Sequence, residues 1–409
     1  MSRGRWPLLV LFLVNVLNFY DRQVLGAIFE PLRHEFHLSD TQLGALTTVF
    51  TVVYAIAGLP LGRLADRVKR GPLLALGVAV WSGLTALGAL AGSYTALLAT
   101  RLGVGVGEAV CAPAATSWIG DLYPARRRAG ALARFMMAVP AGGFFSFAVG
   151  GPVAQAFGWR AALVAAALPA LVLVPALVWL AEPARTVPAA EGASPAALAR
   201  IAAFWWIAAS GAIANFLLYS FSFFLPSFLT RVHGLSVAQA GVATGAGAGV
   251  AGVLGALVAG RLGDRLAGNL ARGRLLLSAL AAMAAAPVAW AALRLPAGSA
   301  ALAVPLLMLA YGLWQMYYGP VYAAIQDVVP AGLRATAMAV YYLAMYLCGA
   351  AFGPLVTGRL SDRFARQAMA AGVPAEAARA IGLHHGMYAI PVLSVALAVV
   401  LWAGSRYER

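Results

Sequence analysis

Charge is what this sequence has least of. Asp, Glu, Lys and Arg make up 11% of its 409 residues, where a soluble domain carries roughly a quarter. With 62% hydrophobic residues and a mean hydropathy of +0.83, a soluble globular fold is excluded. Cysteine is nearly absent: Cys111 and Cys348 each lie inside an apolar run, so neither a disulfide framework nor a thiolate metal cluster is available. His34, His37, His233, His384 and His385 fall outside the apolar runs or at their ends, so no intramembrane histidine cluster forms and no metal or cofactor is expected. There is no nucleophile–base pair and no attached soluble domain, which argues against an enzyme and against a sensor. The glycines at Gly103, Gly105 and Gly107 sit within an apolar helix and follow no strand, so they are not a nucleotide loop, and no ATP-binding motif is present.

What is abundant is apolar sequence in runs of bilayer length. A hydrocarbon core of about 30 Å needs about twenty apolar residues. That rule predicts twelve spans, at 7–31, 42–62, 72–92, 94–120, 130–154, 160–181, 201–230, 237–260, 274–294, 300–326, 335–358 and 383–404. The formal charge of +15 comes in short basic groups between these runs, as loop charges do, so nucleic acid is not expected as a partner. Most of the basic groups fall on one side if both termini are cytoplasmic, in a bacterial inner membrane, although Arg359, Arg363, Arg366 and Arg379 of the last external loop run against the bias. Arg3 and Arg5 before Leu8–Leu17 resemble a signal peptide, but Asn18, Asp21 and Arg22 interrupt it without a cleavage site, so this reads as an uncleaved first span.

The chain repeats itself. Gly62-Arg63-Leu64-Ala65-Asp66-Arg67 recurs as Gly260-Arg261-Leu262-Gly263-Asp264-Arg265; Asp121-Leu122-Tyr123-Pro124 with Arg128 recurs as Asp327-Val328-Val329-Pro330 with Arg334; Gly151-Pro152 recurs as Gly353-Pro354. The offsets, 198, 206 and 202 residues, agree closely. They describe an all-α membrane protein whose twelve transmembrane helices form two pseudo-symmetric six-helix bundles, 1–181 and 200–409, with a site between them. The Pro-containing segment 182–199 is the cytoplasmic linker.

These features resemble the major facilitator superfamily over essentially the whole chain, with Gly62 to Arg70 as its signature between helices 2 and 3. Asn18-Phe19-Tyr20-Asp21-Arg22, Arg101 to Ala109 with Glu108, and Asp121 to Pro124 with Arg127 and Arg128 resemble the spinster-like branch, which includes lysophospholipid and sphingosine-phosphate transporters. The resemblance implies alternating access and an amphiphilic lipid substrate. Organic-anion symporters carry a similar first helix and helix 4, so a small carboxylate is the alternative substrate, and a multidrug exporter is a further one.

Four ionisable residues lie deep inside spans, more than five residues from either end: Asp21, Arg22, Arg101 and Glu108, all in the N-terminal half. Each costs at least about 2.5 kcal/mol to insert, which marks them as functional. Arg101 and Glu108 are two turns apart on one face, as are Asn15, Asn18 and Arg22, while Asp21 lies about 100° round from Arg22. Counting inward puts Asp21 ~14 Å and Arg101 ~10 Å deep, so these two can pair, leaving Arg22 and Glu108 on the substrate path. The plainer alternative is that all four are structural ion pairs. Glu108 is the expected proton-coupling group and Asp21 the second choice, with Arg22, Arg101 and Asn18 binding an anionic substrate. The other half offers uncharged stripes: Asn215, Tyr219 and Ser222; Tyr311, Gln315, Tyr318 and Tyr322; Met338, Tyr342 and Met345. Of these, Asn215, Tyr219, Gln315, Tyr318 and Tyr342 are the expected wall for an apolar tail. Gly62, Asp66, Arg67 and Arg70 read as a gate, with Gly58 and Gly62 permitting a close helix approach and Asp66 capping a facing helix. A gradient drives such a protein, protons being the expected ion, and nothing in the sequence demands more than a monomer.

Overall fold

The structure, a computed structural model, describes residues 5–65, 67–183, 195–269, 273–330 and 333–407. These are helical without strands, and twelve helices are long and apolar enough to cross a membrane. They are α1 (Trp6–Ala27), α2 (Asp40–Ala65), α3 (Arg70–Gly88), α4 (Tyr94–Leu122), α5 (Gly130–Phe157), α6 (Trp159–Trp179), α7 (Ala202–His233), α8 (Val237–Gly263), α9 (Gly273–Leu293), α10 (Ala300–Val328), α11 (Thr336–Ala370) and α12 (Ala375–Ser405). Large apolar side chains stand fully outside, Trp179 at 84% exposure and Leu171 and Val172 at 73% each. An apolar surface of this kind suits lipid.

All twelve expected spans are present, and the differences lie at their ends. The first, expected to reach residue 31, stops at Ala27; Ile28 leaves helical geometry and a short helix, Phe29–Phe36, follows. The largest difference is at α11, expected to end at 358 but running to Ala370, while α12 begins at Ala375 instead of 383. The expected loop is therefore two helix ends joined by a turn at Gly372, where φ is +86°. Hydropathy stops at the lipid boundary but a helix does not. Arg359, Arg363 and Arg366 stay exposed on it, while Ser361 and Ala365 are buried, with Gly382 of α12 packed against them. Of the linker, residues 184–194 lie outside the described residues, and Pro195–Arg200 is a 3-10 turn.

Contacts gather the chain into two compact units: Met1–Leu38, Leu46–Val187 and Ser236–Gly245 form one, and Ser39–Ala45, Pro188–Leu235 and Ala246–Arg409 the other. The first turns of α2 thus belong to the second unit, and those of α8 to the first. Within the first unit, Gly142 of α5 lets α1 approach: a Cβ there would come within 2.7 Å of the Val16 carbonyl oxygen. Within the second, Gly353 of α11 lies against the Phe216 carbonyl oxygen of α7, and Gly349 against that of Ala212, so α11 and α7 cross closely at these two glycines. Just before it, Ala344–Ala350 is wound as a π-helical turn, a feature often found at functional sites. The internal repeat appears as matching ion pairs. Arg70 meets Asp121 at 2.6 Å in the first unit, and Arg274 meets Asp327 in the second.

Candidate functional site

The first unit brings the four intramembrane ionisable residues together as two buried pairs. Arg22 donates from both Nε (3.2 Å) and Nη2 (3.1 Å) to one oxygen of Glu108, Oε2, and from Nη2 to Asn18 Oδ1 at 3.3 Å. The other oxygen, Glu108 Oε1, is buried without a hydrogen-bond partner, as is Asn18 Nδ2. Arg101 Nη1 lies 3.5 Å from Asp21 Oδ1. The pairing of Asp21 with Arg101 is the one expected from depth along the helices; Arg22 and Glu108, expected to face the path, are joined to each other.

Thr85 of α3 completes the Asp21 pair and was invisible in the sequence. Its hydroxyl donates to the Asp21 carboxylate at 2.7 and 2.8 Å while accepting from Arg101 Nη2 at 3.2 Å. The Asp21 carboxylate of α1 is thereby held from α3 and α4 at once. On the same helix face as Arg22, Asn15 donates to the Phe135 carbonyl oxygen at 3.2 Å, so it anchors α1 to the start of α5.

Arg22 is further enclosed by three rings. Its guanidinium carbon lies 4.2 Å from the centroid of Tyr54, 4.9 Å from Phe19 and 5.3 Å from Phe50. Phe50 and Tyr54 are one turn apart on α2, and they reach Arg22 because α4 presents Gly105 there: a Cβ on Gly105 would sit 2.8 Å from the Phe50 carbonyl oxygen. A cation over an aromatic face within about 6 Å is attracted by the ring quadrupole. The spacing of Phe50 and Tyr54 was the available signal, and it is indistinguishable from ordinary apolar packing.

In the second unit the tyrosines cluster. Tyr318 and Tyr342 each lie 5.9 Å from Tyr322, and Tyr317 and Tyr341, not singled out in the sequence, complete the group. Ser210, Tyr317 and Tyr341 form a buried hydroxyl chain with links of 2.8 and 3.0 Å. Tyr219 lies beside Phe223 with ring centroids 5.9 Å apart, and Asn215 turns its amide to the Gly211 carbonyl oxygen of its own helix. Gln315 donates to Tyr311 at 3.3 Å, and its Oε1 is buried without a partner.

The signature segment is built around Arg70. Buried at the start of α3, it donates from Nε (2.7 Å) and its backbone N–H (2.9 Å) to Glu182, and from Nη1 to Asp121 (2.6 Å) and Ser117 (3.0 Å). Glu182, placed in the linker by sequence, is thus part of this network. Arg67 is exposed and Asp66 lies outside the described residues. Gly58 faces open space and Gly62 is at ordinary van der Waals distance from Pro113, so the close approach expected of them is not made here.

Comparison with known proteins agrees with this architecture. The family model for the Major Facilitator Superfamily matches residues 11–354. An MFS-type efflux pump of Mycolicibacterium smegmatis is 33% identical over 364 residues, 86% of this chain and 83% of that one. Protein spinster of Drosophila melanogaster is 32% identical over 187 residues, which span 45% of this chain and 31% of that protein. A crystal structure of a bacterial homologue of the human lysosomal transporter Spinster, inward-facing and unoccupied, superposes with a TM-score of 0.88 at 27% identity, covering 100% of this chain and 98% of that one. The chain belongs to the Major Facilitator Superfamily, and is a spinster-like integral membrane transporter.

Proposed function

For a transporter of this superfamily, we propose proton-coupled movement of an amphiphilic anionic lipid, a lysophospholipid or sphingoid-like molecule, by alternating access of the halves 1–181 and 200–409 about the linker 182–199. The observation that carries this reading is the Arg22–Glu108 pair. Glu108 holds the guanidinium through Oε2 alone, with Oε1 buried and unpartnered. A proton on Glu108 cancels its charge and weakens its hold on Arg22, and the guanidinium then takes an anionic headgroup as charge-assisted donors do. Proton and anion therefore cooperate in binding, which is the sense of symport. Asp21 is the second proton-coupling group, held by Thr85 and Arg101; Arg101 and Asn18 join Arg22 around the headgroup.

The apolar tail is assigned to Asn215, Tyr219, Gln315, Tyr318 and Tyr342, an uncharged, aromatic set that is wet at its hydroxyls and apolar on its rings. Gly62, Asp66, Arg67 and Arg70 serve as the gate. The protein works as a monomer in a bacterial inner membrane, both termini cytoplasmic. Two guanidiniums within one unit favour a second reading, symport of small carboxylates, in which Arg22 and Arg101 grip the substrate and the tyrosines are packing.

The test is uptake of labelled lysophosphatidylglycerol against labelled hexuronate and gluconate in proteoliposomes, with and without an imposed pH gradient. Gradient-stimulated movement of the lysolipid is expected. Movement of the carboxylates alone would transfer the function to organic-anion symport, and movement of neither with extrusion of a cationic dye would make the protein an exporter.

A further inference from the structure

The Gly62–Arg67 pattern occurs a third time, as Gly358-Arg359-Leu360-Ser361-Asp362-Arg363, in the charged extension of α11. It meets the start of α2, the end opposite the Gly62–Arg70 loop. A helix leaves its first N–H groups without partners of its own, and on α2 they are accounted for one by one. Ser39 and Gln42 form a capping box: the Gln42 N–H donates to Ser39 Oγ at 3.2 Å, and the Ser39 N–H to Gln42 Oε1 at 2.9 Å. The N–H groups of Asp40 and Thr41, which that box leaves, donate to Asp362 Oδ1 at 3.0 Å and Oδ2 at 2.9 Å, and the Thr41 hydroxyl adds a third bond to Oδ2. Asp362 is a second cap supplied from another helix, a negative charge at the positive end of α2.

The surrounding groups tighten the same joint. Arg231, at the end of α7, holds the Asp40 carboxylate through both terminal nitrogens at 2.8 and 2.7 Å, and the Ser361 hydroxyl donates to it as well. Both Asp40 and Arg231 are buried to about 5% side-chain exposure. Glycine is required at the crossing: a Cβ on Gly358 would overlap the Asp40 carbonyl, and one on Gly44 the Pro354 carbonyl. The pattern thus reads as glycine at the crossing and carboxylate one turn later at the helix start.

The repeat supplies a built-in comparison. The start of α8 has the same capping box, Ser236 with Gln239 at 3.0 and 3.2 Å. Its N–H at Ala238 donates to Gln155 Oε1 of α5 at 2.9 Å, and Gly151, one turn before Gln155, lies against the Val237 carbonyl oxygen. There a single exposed amide replaces the carboxylate, its three bonds and the buried ion pair.

We propose that Gly358–Asp362 is a latch on α2. It releases Asp40 and Thr41 whenever the membrane face opposite the Gly62–Arg70 loop opens, and it sets how often that happens, while the Gln155 contact on α8 yields first. This rests on the alternating-access reading and is independent of the substrate and of the coupling ion.

The test uses the full chain in proteoliposomes with Cys111→Ala and Cys348→Ala, a reporter Ser222→Cys on α7, and a membrane-impermeant maleimide added on the face opposite the signature loop. Asp362→Ala is expected to raise the labelling rate at least fivefold, Gln155→Ala less than twofold. Deuterium exchange over 40–43 should rise at least tenfold in Asp362→Ala, with that of 353–358 unchanged. A variant carrying Thr41→Cys and Asp362→Cys, oxidised, should label at a tenth of its reduced rate or less and recover with reductant, which shows that the fold is intact. Equal labelling rates in parent, Asp362→Ala and oxidised dithiol would overturn the latch. A reporter unreachable from that face in every variant would overturn alternating access itself.

Discussion

Replacing Glu108 by Gln tests the central pair most directly. In the native arrangement one carboxylate oxygen accepts from Arg22 Nε and Nη2 at 3.2 and 3.1 Å, with both side chains at 1% exposure or less. Gln retains an acceptor oxygen of the same reach but no charge. A hydrogen bond to a charged acceptor is worth ~1.5–3 kcal/mol and a neutral one ~0.5–1.5, so two bonds lose about 2 kcal/mol of hold on Arg22. At about 1.4 kcal/mol per factor of ten, an anion competing for Arg22 gains roughly thirtyfold in affinity. Glu108→Gln should therefore bind labelled lysophosphatidylglycerol ten- to thirtyfold more tightly at pH 7.5, with affinity nearly constant from pH 5.5 to 8.5, and should lose gradient-driven uptake. Equilibrium binding to purified protein, read by scintillation proximity across that range, measures all but the last. An unchanged affinity together with an unchanged pH dependence refutes the argument that Glu108 and the anion compete for one guanidinium.

Asp21→Asn leaves Arg101 buried beside Thr85 without its counter-charge, a change that costs ~3–5 kcal/mol; thermal melting in detergent should fall sharply, and Asp21→Asn with Arg101→Gln should melt higher than the single variant. The ring nearest Arg22 is worth ~0.5–2 kcal/mol as a cation–π partner. Tyr54→Leu should accordingly weaken anion binding by roughly two- to thirtyfold while Tyr54→Phe stays within a factor of two; equal losses would assign Tyr54 to direct hydroxyl contact with the ligand. Outside the spans, Glu35 accepts from Arg160 at 2.6 and 2.8 Å and from the Trp159 indole at 2.6 Å, and the Arg160 contact first of all holds its carboxyl below the usual range. A depressed carboxyl contributes stability above its unfolded value of about 4.3 and loses it as pH falls through the lowered one. The carboxyl carbon-13 shift of Glu35 should titrate below that of an exposed glutamate, and Arg160→Gln should return it upward.

How much was legible follows from which interactions leave a mark in one dimension. Twelve spans were readable because run length answers to bilayer thickness, and the Asp21–Arg101 pair because depth along a helix is a count of residues. Thr85 was not readable: a lone hydroxyl in an apolar helix looks the same whether it bonds its own backbone or a carboxylate two helices away. Phe50 and Tyr54 were missed for a related reason, since their role depends on Gly105 letting α4 come close, a fact about two helices at once. Glu182 sits immediately before Pro183, at the start of the Pro-containing segment, and reads as linker, yet its carboxylate closes on Arg70 at 2.7 Å. The extension of α11 was misread because its arginines signal the end of the lipid, and that is a different boundary from the end of the helix.

Unpartnered polar atoms give an independent line of argument about where a ligand belongs. Buried groups in folded proteins are paired with few exceptions, and each exception asks for a reason. Among the described residues these exceptions include Trp81 and Trp118 indoles, single neutral donors that cost less than a bare charge, and several lone hydroxyls. They also include Glu108 Oε1, Asn18 Nδ2 and Arg101 Nε in the first unit and Gln315 Oε1 in the second. A carboxylate oxygen in a dry interior is the costliest of these to leave bare. Evolutionarily cheap repair is at hand, because an apolar side chain of similar volume packs at least as well as a buried ion pair. That Glu108 keeps one bare oxygen while the other holds a guanidinium that also meets Asn18 and three rings supports a site held ready for a proton and an anion, and the apolar pair Glu108→Leu with Arg22→Leu should raise the melting temperature while abolishing transport.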